Sequence, residues 1–134
     1  MIMDACLDTN VLLRFALKDV PEEFVRAKDL LETPGMTFIV ADAAWIEIAY
    51  ALQHHYQLDR LAIVDVIESL MSIDSIKTTG SVISSTCAAF LAHPKLSFTN
   101  CYLAAYAAEI AAAPLYTFDE KLANQHPAAR SVPT

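Results

Sequence analysis

Apolar residues along this chain come in two rhythms, short runs and longer stretches at helical spacing, and the two alternate from end to end. Ala5-Cys6-Leu7 is a short run closed by the turn and cap formers Asp8-Thr9-Asn10, which predicts a strand and then a helix over residues 11–17. Pro21-Glu22-Glu23 opens a second helix, with proline in the first turn and acids matched to the helix dipole. Phe24, Ala27, Leu30 and Leu31 follow at helical spacing until Pro34-Gly35 stops the run. Phe38-Ile39-Val40 is β-branched and aromatic and predicts a strand. Asp42 is placed to cap a helix reaching about His55. Asp59 is placed to cap another, in which Leu61, Val64, Ile67, Leu70 and Met71 form one apolar stripe. Ile76-Lys77-Thr78 is a weaker strand pattern. Residues 81–92 and 98–112 read as helices, ended by His93-Pro94 and by Pro114. Leu115-Tyr116-Thr117 reads as a strand leading to Asp119, then a short helix over 120–124, and the tail from Pro127 as a last edge strand or a frayed end.

This alternation predicts an α/β fold, a mostly parallel central sheet of four to five short strands flanked by helices. With two glycines, no internal repeat and no linker, the 134 residues are expected to form a single domain, long enough to bury a core. Hydrophobic residues make up 55% and charged residues 19%, which excludes a disordered chain. The uncharged stretch 80–90 is too short and too polar to span a bilayer, so no membrane partner is expected. Met1-Ile2-Met3-Asp4 lacks the basic start and apolar run of a secretory signal, and a cytoplasmic location is the expectation. The three cysteines, Cys6, Cys87 and Cys101, are widely spaced inside apolar segments and are expected to be buried small hydrophobes. The formal charge of −7 excludes a broad basic surface for gripping nucleic acid. If RNA is the partner, a metal ion or a few residues such as Arg14 must supply the local positive charge.

Polar residues where the pattern wants apolar ones mark the candidate chemistry. Asp8 follows the first strand directly, and Asp119 follows Leu115-Tyr116-Thr117 in the same way. Both therefore belong at strand carboxyl ends, where open parallel sheets bind ligands. Glu47 sits in Ala43-Ala44-Trp45-Ile46-Glu47-Ile48-Ala49-Tyr50, a stretch apolar on every side of a helix, where a buried charge needs a cation or several donors. Asn100 heads the helix Phe98-Thr99-Asn100-Cys101-Tyr102, placed to cap it or to offer a carbonyl oxygen to a metal. Each position also has a plainer reading. Asp8 and Asp119 could be caps, and Glu47 could pair with Arg14 or Arg60. The remaining candidates carry less. His54-His55 should point to different sides of a helix, His93 and His126 each precede a proline with no metal-site partner at useful spacing, and the serines at 81–85 lack the glycines of a nucleophile elbow. No Gly-rich phosphate loop is present.

Leu7-Asp8-Thr9-Asn10-Val11-Leu12-Leu13 resembles the opening of the PIN domain, particularly of the VapC-type toxins of bacterial toxin–antitoxin pairs. Trp45-Ile46-Glu47-Ile48 is similar to that family's second motif, the segment from Phe98 to Ala107 to its third, and Leu115-Tyr116-Thr117-Phe118-Asp119-Glu120-Lys121-Leu122-Ala123 to its fourth. The segments come in the family's order and span residues 7–123. There are departures. The family usually carries an aspartate where this chain has Asn100, and the glycine that often follows the third motif is replaced by Ala111-Ala112-Ala113-Pro114.

The resemblance implies a metal-dependent endoribonuclease, the toxin of a toxin–antitoxin pair. Asp8, Glu47, Asn100 and Asp119 would hold Mg²⁺ or Mn²⁺, Thr9 and Thr117 would orient them from behind, and Asn10 would contact metal-bound water or substrate. It also implies an antitoxin partner whose C-terminal arm covers the acidic groove, and a homodimer. Asparagine keeps an oxygen ligand but removes a charge and cannot act as a base. The alternative is therefore a catalytically weakened PIN-fold protein that binds an antitoxin or RNA.

Overall fold

Strand β1 (Met3–Cys6) hands the chain almost directly to helix α1 (Thr9–Leu17), and the same strand-to-helix step recurs along the sequence. The structure, a computed structural model, describes residues 3–134, in two units that meet in sequence between Thr79 and Gly80.

In the first unit α1 is followed by α2 (Pro21–Leu31), β2 (Met36–Val40), α3 (Asp42–His54), α4 (Arg60–Met71) and β3 (Ile76–Thr78). The strands pair in parallel in the order β1-β2-β3, with Ala5 opposite Phe38 and Phe38 opposite Ile76. Parallel neighbours cannot be joined by a tight turn, so a pair of helices carries the chain back each time. The central strand buries Phe38 and Val40, and the helices of the same unit bury Leu12, Trp45, Ile48, Leu52, Ile63 and Ile67. Helix α2 starts on Pro21 with no side-chain cap; Glu22 and Glu23 in its first turn complement the dipole instead.

In the second unit α5 (Val82–Ala92) packs on α6 (Phe98–Glu109), and β4 (Leu115–Thr117), α7 (Glu120–Gln125) and β5 (Ala129–Ser131) follow. The buried alanines 104, 105 and 107 let α6 approach α5 closely, and the Phe90 ring meets Phe98 edge-on at 5.3 Å. Thr86 is fully buried in α5, its hydroxyl donating to the Val82 carbonyl at 2.7 Å. Strands β4 and β5 are parallel, Leu115 opposite Ala129. All five strands among the described residues thus pair in parallel, as the alternating pattern predicts, three in one unit and two in the other.

Several local expectations are corrected. Asp42 is the first residue of α3 rather than its cap, which is Ala41; the Asp42 carboxylate accepts from the Thr79 hydroxyl at 3.1 Å. In α4 Leu61 is 60% exposed and Ile63 takes its place in the buried stripe. Helix α6 ends at Glu109 rather than Ala112, because Ala111 turns to a left-handed φ of 57°. Cys87 and Cys101 are buried, but Cys6 is exposed on the first strand.

The rings of His93 and His126 lie 6.1 Å apart, although the two are 33 positions apart along the chain. His126 ends α7, its N–H donating to the Leu122 carbonyl, while its Nδ1 accepts from the Ala128 amide at 3.1 Å and so shapes the turn into β5. Burial, and then the charge His93 can carry, push the His126 pKa down. A depressed histidine pKa favours the neutral folded form, so the unfolded chain takes up the proton first as pH falls. Stability should therefore be unaffected above about pH 7 and decline as pH drops below about 6.5. His126→Gln keeps an acceptor for Ala128 and should flatten that decline in urea titrations across this range. An unchanged slope would show that His126 does not carry it.

Candidate metal centre

In the first unit the abrupt change from strand to helix decides where Asp8 sits. It is the N-cap of α1, exposed, and its Oδ1 accepts from the Thr9 amide at 2.9 Å. Thr9 is buried, and its hydroxyl donates to Glu47 Oε2 at 2.9 Å across 38 positions of sequence. One threonine therefore bonds both acids, through its amide to Asp8 and through its hydroxyl to Glu47. The other oxygens, Asp8 Oδ2 and Glu47 Oε1, have no hydrogen-bond partner among the described residues.

Glu47 is not buried, contrary to the expectation from its apolar surroundings. Ala43, Glu47 and Tyr50 form an exposed face of α3, and Trp45, Ile48, Ala49 and Leu52 form the buried one. Apolar residues all round the helix hid this division. Nor does Glu47 pair with Arg14. The Arg14 guanidinium reaches Asp19 at 3.0 Å, Glu23 at 3.3 Å and the Tyr56 hydroxyl at 3.2 Å. Its charge is thus largely matched within its own neighbourhood, although Asn10, Arg14 and Arg26 together line a cavity of about 280 Å³ on α1 and α2.

In the second unit the same strand-to-helix step places Asp119. Its amide donates to the Thr117 hydroxyl at 2.9 Å, and its Oδ1 accepts from the amides of Lys121 and Leu122 at 3.0 and 3.2 Å, capping α7. Asn100 Nδ2 donates to Asp119 Oδ2 at 3.3 Å, and both residues are half-buried. Asn100 does not cap α6. Ser97 does, accepting from the Asn100 amide at 3.0 Å, which leaves the Asn100 side chain for Asp119.

The donors are carboxylate and amide oxygens, the hard ligands that Mg²⁺ and Mn²⁺ prefer. Within each unit they come in a pair, Asp8 with Glu47 and Asn100 with Asp119. Among the described residues no group of three or more His, Cys, Asp or Glu side chains is gathered closely enough to hold a metal ion. His54, the last residue of α3, and His55, its C-cap, are exposed. The apolar pattern gives no reason to single out Phe118, yet it is 85% exposed, directly between Thr117 and Asp119. A large ring between two residues whose polar groups are committed to a turn and a cap was the available signal.

The family model of the PIN domain matches residues 5–125. No curated protein matches the chain. Among solved structures, a chain of the crystal structure of VapBC2 from Rickettsia felis bound to a DNA fragment from their promoter is similar at 13% identity. Its TM-score is 0.40, and the match covers 97% of this chain and 98% of that one.

Capping and metal binding make separable demands on Asp119. Asp119→Ala should cost about 1 kcal/mol of stability through the lost cap, and Asp119→Asn should cost little, because an amide oxygen still accepts from Lys121 and Leu122. Urea denaturation in EDTA measures both. If Asp119→Ala were as stable as the parent, the cap would not hold α7.

Proposed function

The chain belongs to the PIN-domain family, and on that premise we propose that it is a metal-dependent endoribonuclease, the VapC-like toxin of a toxin–antitoxin pair. The observation that carries the reading is the linkage of Asp8 and Glu47 through Thr9. The acids of the first two motifs are hydrogen-bonded on one side, and each keeps an oxygen without a hydrogen-bond partner among the described residues. A carboxylate pair held in this way is the kind of oxygen donor a divalent cation takes.

On the resemblance, Asp8, Glu47, Asn100 and Asp119 are the residues that would hold Mg²⁺ or Mn²⁺. Such an ion would supply positive charge for a phosphodiester and a water made acidic enough to attack it. The chain's own part is positioning. Thr9 fixes the Glu47 carboxylate, Thr117 fixes the Asp119 backbone, and Asn10, in the first turn of α1, lines the same cavity as Arg14 and Arg26. With a net charge of −7, positive charge for RNA would have to come from that cation or from a few residues such as Arg14. A single domain, a cytoplasmic location, a homodimer and an antitoxin partner belong to the same reading. Exposed Leu103 and Tyr106 on α6, with Ile110 at its C-cap, provide apolar surface for a protein partner. No helix among the described residues is long and apolar enough to cross a membrane.

The contact from Asn100 to Asp119 favours a second reading, a PIN-fold protein weakened in catalysis that serves as an antitoxin-binding or RNA-binding partner. An amide N–H satisfies Asp119 without any metal, whereas an aspartate at position 100 would set two carboxylates against each other until a cation came between them. Asn100→Asp should therefore lower the thermal midpoint in EDTA and gain more from Mn²⁺ than the parent does. Cleavage of single-stranded RNA by the parent in Mn²⁺, abolished by EDTA, supports the nuclease. Cleavage by Asn100→Asp alone supports the weakened protein. If Mn²⁺ stabilises neither, the metal assignment fails.

A further inference from the structure

A phenylalanine ring almost wholly in water is costly unless something covers it, and Phe118 is 85% exposed. Its backbone is not free to fold the ring away. On one side the Asp119 amide is bound to the Thr117 hydroxyl, and on the other the Asp119 carboxylate is bound to the first turn of α7. Two positions back, Tyr116 is 55% exposed, while Thr117 and Asp119 are half-buried. Exposure thus alternates along residues 116–119, with the two aromatic rings toward solvent and the polar pair half-buried. Across the sheet Tyr116 is the register partner of Arg130, an exposed residue of β5. Arg130, and Lys121 in α7, form no ion pair with any described residue. Glu120, the nearby acid in the chain, is engaged by the Ser131 hydroxyl at 3.3 Å.

We propose that Phe118, with Tyr116 and Arg130 beside it, is a stacking platform that holds a base of single-stranded RNA next to Asp119. The choice of ligand rests on the nuclease reading above. Stacking suits this protein because it draws on the π-face that every base carries and needs little positive surface, which a chain of net charge −7 lacks. Arg130 beside Tyr116, and Lys121 in the first turn of α7, neither in an ion pair with any described residue, provide cations for backbone phosphate of the kind such platforms combine with aromatic faces. A duplex would not present its bases in this way, so the platform selects unpaired RNA.

The test uses the full chain and short fluorescein-labelled single-stranded RNA oligomers. Binding is read by anisotropy in Ca²⁺, which takes the same oxygen ligands, and cleavage of the same oligomers is read in Mn²⁺. Phe118→Ala should weaken binding about tenfold and raise KM by a similar factor with kcat little changed. Phe118→Trp should hold or improve both, and Phe118→Leu, apolar but not aromatic, should behave like Phe118→Ala. Thermal midpoints should match the parent's, because the ring packs against little.

Phe118→Ala binding as tightly as the parent would overturn the platform, even where Mn²⁺-dependent cleavage upholds the nuclease. Binding that depends on Phe118 without any cleavage would uphold the platform and remove the nuclease reading. A parent that does not bind the oligomers overturns the platform. So does a change in molar mass by light scattering in Phe118→Ala, since the ring would then belong to a contact between protein chains.

Discussion

A helix that begins directly after a parallel strand leaves its first amides without partners, and something at the strand's carboxyl end must accept from them. Asp8 does this for α1 and Asp119 for α7. The remaining features of the candidate site are built around those two acids. Thr9 is fixed because it follows Asp8 into the helix, and its hydroxyl then reaches Glu47. Thr117 is fixed because it precedes Asp119, and Asn100 turns its amide toward the same carboxylate. The plain role and the functional role of these acids are therefore not rivals. The cap orients one carboxylate oxygen toward the protein.

Charge sets the second constraint. Sixteen acidic residues face nine Lys and Arg, and Arg14 is already matched by Asp19 and Glu23. Little cationic surface remains for a polyanion, so under the proposed function a divalent ion and a few isolated cations would take the place of a basic groove. Asn100 acts on the same balance. Its amide N–H donates to the Asp119 carboxylate, which the protein itself thus satisfies.

How much of this was legible in the sequence varies from residue to residue. Asp8 and Asp119 stand out because strand, acid and helix occur in immediate succession, so their neighbours in sequence are also their neighbours in space. The exposure of Glu47 was not legible, because Ala43, Ile46 and Tyr50 make all sides of α3 look alike and only packing decides which side Trp45 and Ile48 bury. The approach of His93 to His126 depends on how α5 and α7 are placed, and no spacing rule reports it. Cys6 shows the same effect: apolar neighbours in the sequence did not make it buried.

The sequence by itself determined the order of strands and helices, the parallel character of the sheets and the acids at the strand ends, because periodicity, turn formers and caps act over a few neighbouring residues. It also determined the shortage of positive charge. Tertiary structure alone decided that Thr9 bonds Glu47, that Ser97 rather than Asn100 caps α6, that Arg14 is spent on Asp19 and Glu23, and that Phe118 faces water. Each of those outcomes depends on which face of an element its neighbours cover, a condition set by packing between residues distant in the chain.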